Sequence, residues 1–318
     1  TVSLTLIVQG IGAIINFIIF IPDYKFWDAF GMSLFHAISA FNNCGFDLLP
    51  YGNSLYIYRD NILMNFNTMI LIIIGGIGSI VIHDIIKSKS WKRLSIHSKI
   101  VIKTSILLII IGTLLFKIGE GNNISWLQAL FNSVASRTAG FTTLTLANMA
   151  NVSLLVMMIL MFIGASPAST GGGIKTTTFY TIMKSIISFG RGKKTLTYNR
   201  QIASASIFKA FILVVSSIIV IATSLLFISI IETYNPKATN DFNYLLKLTF
   251  EVFSAFGTVG NSLGVTANLH WLSKFILCLV MFFGRLGPIT IISLLNRHWT
   301  MGQELSHVIY LEEKIIIG

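Results

Sequence analysis

The chain has 318 residues, 54% of them hydrophobic and 11% charged, and a mean hydropathy of +0.78. A soluble domain carries roughly 25% charged residues, so these figures argue against an ordinary soluble enzyme and exclude a disordered chain. The net charge of +11 points to nucleic acid only if it sits on a water-exposed module. Cys44 and Cys278 are too far apart for a disulfide framework, and the six histidines show no metal-ligand spacing.

Six apolar stretches follow in chain order: 1–22, 61–83, 99–118, 151–174, 210–231 and 275–296. Each suits a membrane-spanning helix, which needs ~20 apolar residues to cross a hydrocarbon core ~30 Å thick. Between the members of each pair lies a shorter amphipathic piece, at about 26–41, 124–136 and 242–256, too short to cross. Two joins, 87–103 and 184–209, hold 12 of the 23 Lys and Arg and no acid. The positive-inside rule puts them in the cytoplasm. The other connections hold 8 of the 12 acids and lie outside. The basic excess is therefore a topology signal, and no nucleic-acid partner is expected. Trp27, Trp126 and Trp271 fall near outer boundaries and Trp91 and Trp299 near inner ones, in the manner of an aromatic belt. The chain opens at Thr1 inside an apolar run with neither initiator Met nor signal-peptide n-region, and a preceding segment is expected.

One pattern recurs three times. L-F-H-A-I-S-A-F-N-N-C-G-F (34–46), Q-A-L-F-N-S-V-A-S-R-T-A-G-F (128–141) and F-E-V-F-S-A-F-G-T-V-G-N (250–261) align on Gly45, Gly140 and Gly260. Five residues before each glycine stands Ala40, Ala135 or Ala255; two before stands Asn43, Thr138 or Thr258; one before stands Cys44, Ala139 or Val259. The unit predicts a short helix that dips into the membrane and returns as irregular backbone, which is tolerated there only inside protein or along a water-filled path. Glycine permits the backbone angles that aim successive carbonyls one way. A ring of such carbonyls can replace the hydration shell of a monovalent cation. A plain tight turn explains any one glycine as well; three equivalent ones favour a pore. Both ends of each unit are cytoplasmic, so the repeats are parallel. The predicted fold is all-α and integral to the membrane, with units at 1–88, 89–190 and 191–318, the last ending in a cytoplasmic tail.

Residues 164–175 read G-A-S-P-A-S-T-G-G-G-I-K. Pro167 and Gly171–Gly173 cannot sustain a helix, which predicts a flexible loop blocking the path, with a static kink as the bland reading. A phosphate-binding loop fails because Ile174 separates Gly173 from Lys175. Arg285 lies mid-span, where a cation costs ~2.5–3.5 kcal/mol on insertion scales and is functional by default. Lys175 is read equally as snorkelling to water or as part of the gate. Pro288 is expected to kink the last helix and free carbonyls for Arg285. Gly75, Gly76 and Gly78 are expected to permit close helix packing. Glu251 and Arg137 are expected to flank the filters on the outer side, pairing with other pore-region charges and holding the loops.

With N-N-C-G-F (42–46), R-T-A-G-F (137–141), G-T-V-G (257–260), S-P-A-S-T-G-G-G-I-K-T-T (166–177) and G-R-L-G-P (284–288), the chain resembles the membrane subunit of the Ktr/Trk/HKT superfamily of potassium transporters, the bacterial Ktr type most of all. The resemblance covers essentially the whole chain. It implies four helix–loop–helix repeats, of which these are the second to fourth, with one filter glycine in each. It further implies K⁺ uptake through filter residues 43–45, 138–140 and 258–260, a gate of Gly171, Gly172, Gly173 and Lys175, and Arg285 as a barrier beneath the filter. A homodimer on a cytoplasmic ring of nucleotide-binding regulatory subunits follows, contacted by the basic joins and the tail 297–318. Cys44 stands where relatives carry Ala or another small residue, and its side chain is expected only to pack. No cofactor and no catalytic dyad is expected on this chain. K⁺ against Na⁺ selectivity stays open, with Na⁺ a possible coupling or activating ion. Two other readings are a secondary transporter binding a solute at broken helices, which expects inverted repeats, and a membrane-embedded enzyme, which expects His, Asp or Glu converging within the spans.

Overall fold

The computed structural model describes residues 2–49, 54–235 and 243–287. Pro288 and the tail 297–318 lie outside them. The described part is a helical assembly whose only strands are a two-residue hairpin, Leu196–Thr197 with Arg200–Gln201.

The helices come in three sets. α1 (Val2–Phe20), α2 (Phe26–Phe41) and α3 (Ile62–Ile77) with α4 (Ser79–Ser88) form the first. α5 (Ile96–Glu120), α6 (Trp126–Ala135), α7 (Asn151–Phe162) and α8 (Thr176–Gly190) form the second. α9 (Ser204–Thr233), α10 (Tyr244–Gly257) and α11 (Trp271–Leu286) form the third. Their starts are set by local chemistry. Asn61 accepts from the Met64 N–H to begin α3, Ser95 from the Ser98 N–H to begin α5, and Ser125 with Gln128 closes a capping box on α6. Trp27, Trp126 and Trp271 stand in the first turns of α2, α6 and α11, all exposed.

Among the described residues three helices are long and apolar enough to cross a membrane, within α1, at α5 and at α9, and a fourth span exists if α3 and α4 count as one. Two of the other expected spans, 61–83 and 151–174, are interrupted. α3 and α4 meet at 95° about Gly78. α7 stops after 12 residues, and 163–175 contain no helix before α8. α11 ends beside Gly287. Gly78 (φ +94°) at the α3–α4 bend and Gly287 (φ +83°) at the end of α11 adopt backbone angles that L side chains avoid, as does Gly173 (φ +70°) within the loop between α7 and α8. Close packing accounts for Gly75, where a Cβ would lie 1.8 Å from the Phe41 carbonyl oxygen. Gly78 is instead a sharp bend that the apolar run did not reveal.

Each short helix is packed between long ones. Ala37 and Ala40 of α2 join Met64 and Leu71 of α3 in one apolar cluster, which reaches Phe131 of α6. Phe250 of α10 packs with Met157 and Met161 of α7. Val252 and Phe256 of α10 pack with Ile221 and Ile228 of α9 and with Val280 of α11. At the ends of α5 and α9 remote from the basic joins, buried carboxylates clamp the sets. Glu120 accepts from the Ala150 N–H at the start of α7. Glu232 accepts from the His270 N–H and Ser273 hydroxyl at the start of α11, and from the Asn235 amide and Tyr244 hydroxyl. Glu232→Ala removes four hydrogen bonds. Hydrogen bonds to charged groups contribute about 1.5–3 kcal/mol each and are not additive, so the expected loss is several kcal/mol, read as a clear fall in detergent Tm. Glu120→Ala, with one bond lost, is expected to fall less.

Candidate functional site: three glycine turns and the loop packed on them

The three short helices end alike. After α2, α6 and α10 the backbone turns left-handed at Asn43 (φ 52°), Thr138 (φ 78°) and Thr258 (φ 51°), passes one ordinary residue, and turns again at Gly45 (φ 75°), Gly140 (φ 80°) and Gly260 (φ 95°). Left-handed φ is uncommon for a non-glycine residue, and these three share one alignment position. Local bonds hold the turns: the Cys44 N–H donates to the Ser39 carbonyl, the Gly140 N–H to Ala135 and the Val259 N–H to Ser254.

The turns meet. A Cβ on Gly45 would lie 2.6 Å from the Ala139 carbonyl oxygen, and one on Gly140 would lie 2.1 Å from that of Val259. From Gly260 the nearest such atom is the Cys44 carbonyl oxygen, at 3.9 Å. The three turns therefore neighbour one another in a cycle, the side between Gly260 and Cys44 being the loosest. Cys44 does not pack as expected. Its thiol is exposed and reaches only its own turn, 3.6 Å from the Asn42 carbonyl, because its backbone faces the cycle.

Asn43 and Thr138, both buried, and the half-buried Thr258 form a polar collar. The Asn43 amide donates to the Thr138 hydroxyl at 3.5 Å. The Asn43 Oδ1 and Thr258 Oγ1 have no hydrogen-bond partner among the described residues. Buried oxygens left so are rare. Spacing alone revealed the alignment of these side chains, not their orphaned oxygens.

The glycine-rich loop lies against the collar. A Cβ on Gly171 would lie 2.2 Å from the Thr138 hydroxyl, and one on Gly172 2.4 Å from that of Thr258. Three sets hold the loop. Ser166 N–H donates to the Gly76 carbonyl, Gly173 N–H to Gly284 and Ile174 N–H to Phe162. The Ser79 N–H donates to the Ala168 carbonyl across the α3–α4 bend. The freed backbone is thus satisfied by protein, as a broken span requires. Thr170 carries no signal of its own within the 164–175 motif, yet its hydroxyl reaches the Phe41 and Gly75 carbonyls and its own carbonyl accepts from Arg285.

Lys175 does not snorkel. It is half-buried and its amine donates to the Gly171 carbonyl at 2.7 Å. Two expectations about charges are corrected. Arg137 points toward the loop's root, donating to the Gly164 carbonyl at 3.3 Å and approaching the Ser105 hydroxyl at 3.5 Å, because the left-handed turn at Thr138 carries the chain away from it. Glu251 binds no charge among the described residues. It accepts from the Ser262 and Thr266 hydroxyls and the Leu263 N–H, fastening the segment that follows Gly260.

The chain also resembles known proteins. The TrkH family model, described as cation transport protein, matches residues 1–120 and 100–304. The potassium/sodium uptake protein NtpJ of Enterococcus hirae is 34% identical over 98% of this chain and 69% of its own. The Ktr system potassium uptake protein B of Bacillus subtilis is 37% identical over 90% of this chain and 64% of its own. The crystal structure of the potassium transporter TrkH from Vibrio parahaemolyticus superposes with a TM-score of 0.70 at 19% identity, covering 92% of this chain and 62% of that one. The last shares the fold. This chain thus spans about two thirds of the length of these relatives. Its apolar helices and transporter relatives make it a multi-pass membrane protein of a transport family, not an enzyme. On the family model and these identities, the chain belongs to the TrkH family of cation transport proteins.

Proposed function

We propose that this chain forms most of a potassium-uptake pore in the cell membrane. Units 1–88, 89–190 and 191–318 surround one path, with residues 43–45, 138–140 and 258–260 as the filter. The observation that supports this most is the cycle in which Gly45, Gly140 and Gly260 each lie next to a neighbouring turn's carbonyl. K⁺ exchanges its water for those carbonyls and moves down its electrochemical gradient, a 100 mV potential contributing ~2.3 kcal/mol per charge.

Gly171–Gly173, with Lys175 and Arg285, form the gate. Gly171 and Gly172 lie so close to the collar that a Cβ on either would run into the Thr138 or Thr258 hydroxyl, a position from which the loop can block the path. The bond from Arg285 to Thr170 fixes the loop and puts a cation at its edge. The basic joins and the C-terminus face the cytoplasm, where they meet a ring of nucleotide-binding regulatory subunits, and two copies of the protein pair in the membrane. Ktr system relatives are named as parts of a system, which fits such a partner. One relative is named for sodium as well as potassium, which supports a second reading in which Na⁺ is carried or activates uptake.

Rb⁺ uptake into liposomes holding the full-length protein tests the proposal. Uptake with Rb⁺ exceeding Na⁺ and Li⁺ is expected, and none above protein-free liposomes overturns it. Arg285→Ala, assayed without a regulatory partner, is expected to raise the flux; an unchanged or lower flux counts against the barrier.

A further inference from the structure

A cleft of about 500 Å³ runs between α5, α7 and α8. Along α5 it extends from Thr104 to Leu115, which at 1.5 Å per residue is ~16 Å, about one leaflet of a ~30 Å hydrocarbon core. Its walls are almost wholly apolar, and Lys184 is the one cation lining it. Lys103, exposed, precedes Leu107 by four residues and so continues the same α5 stripe by one turn. Lys184 thus lines the cleft and Lys103 stands one turn beyond its α5 wall; both belong to the acid-free joins, and neither forms an ion pair among the described residues.

We infer that this cleft binds an anionic phospholipid of the inner leaflet, its acyl chain along Leu107, Ile111 and Ile159 and its phosphate between Lys103 and Lys184. The inner-leaflet assignment rests on the orientation given under Proposed function. Charge complementarity favours this occupant, since basic pockets between helices on the cytoplasmic side suit acidic headgroups. Shape favours it over a second protein helix. Helices pack in membranes through small residues, whereas this rim presents Leu107, Ile111, Ile159, Met183 and Ile187, each about half exposed. A flexible acyl chain fills such a rim. Because α8 continues from the gate loop through Lys175, a chain lodged beside α8 limits how far the loop can withdraw.

Native mass spectrometry of the full-length protein, titrated with phosphatidylglycerol or phosphatidylcholine of matched chains, tests this. The wild type is expected to retain phosphatidylglycerol preferentially. Each lysine near an anionic headgroup contributes about fivefold in affinity, so Lys103→Gln with Lys184→Gln is expected to weaken phosphatidylglycerol binding roughly thirtyfold and leave phosphatidylcholine unchanged. Ile111→Trp, which fills the cleft, is expected to displace the retained lipid. Equal retention of both lipids by the wild type, or retention indifferent to the lysine pair, overturns the site. So does an Ile111→Cys variant that disulfide-links to a second copy. The readout is lipid mass, so Gly140→Ser is expected to bind lipid normally whatever becomes of the filter reading. Labelling Lys103→Cys with an impermeant maleimide from one face at a time tests the orientation separately.

Discussion

Gly140→Ser is expected to bring Rb⁺ uptake down to background while the protein still reaches the membrane. Two effects combine. A left-handed φ of +80° costs an L residue roughly 1–2 kcal/mol. The new Cβ also falls 2.1 Å from the Val259 carbonyl oxygen, far inside van der Waals contact, and both sides are backbone. The carbonyl must swing away, and under the proposed function that carbonyl is an ion ligand. The series is graded. Gly45→Ser meets the Ala139 carbonyl oxygen at 2.6 Å, while Gly260→Ser has 3.9 Å before its first neighbour among the described residues. Flux is expected to fall most at Gly140, then Gly45, and least at Gly260, where the φ of +95° alone is strained. Uptake assayed at matched surface expression checks the order, and a Gly140 variant with normal flux counts against the filter.

Gly284→Ala is expected to fail at assembly rather than at conduction. Its Cβ would sit 1.8 Å from the Phe256 carbonyl oxygen, as that of Gly75→Ala would from Phe41. Ordinary overpacking costs about 1–3 kcal/mol. Here the displaced atom is backbone at the base of a short helix, so the cost lies at or above that range. Fluorescence-detected size-exclusion should show little monodisperse protein for either variant. Gly10→Ala is the control: it lies within α1 with nothing within 4 Å, so the gain in helix propensity of up to ~1 kcal/mol is unopposed. Wild-type yield and Tm for Gly284→Ala would show that the backbones can separate there.

Much of this was legible from the chain alone. Apolar runs bounded by charge marked α1, α5 and α9, and α2 begins and ends as the amphipathic pattern predicts, at 26–41. The glycine alignment found the three turns because a left-handed backbone restricts residue type so strongly. What stayed hidden depends on backbone direction. An apolar run across 61–83 reads as one straight span, and only the backbone angles of Gly78 reveal the bend. Arg137 was placed on the wrong side because sequence position next to a filter residue does not say which way a left-handed turn throws the side chain. Thr170 looked like one small polar residue among several, since its value lies in partners about 95 to 130 residues away. Cys44 was expected to pack because small residues usually do, and in the structure its turn leaves the thiol exposed.

Anomalous scattering from Rb⁺ in crystals of the full-length protein bears most directly on the idea that three backbone turns replace the water around an alkali ion. The expected result is a peak bounded by the carbonyl oxygens of Cys44, Ala139 and Val259, lost in Gly140→Ser. Rb⁺ bound elsewhere along the chain, with those carbonyls facing no ion, would contradict it.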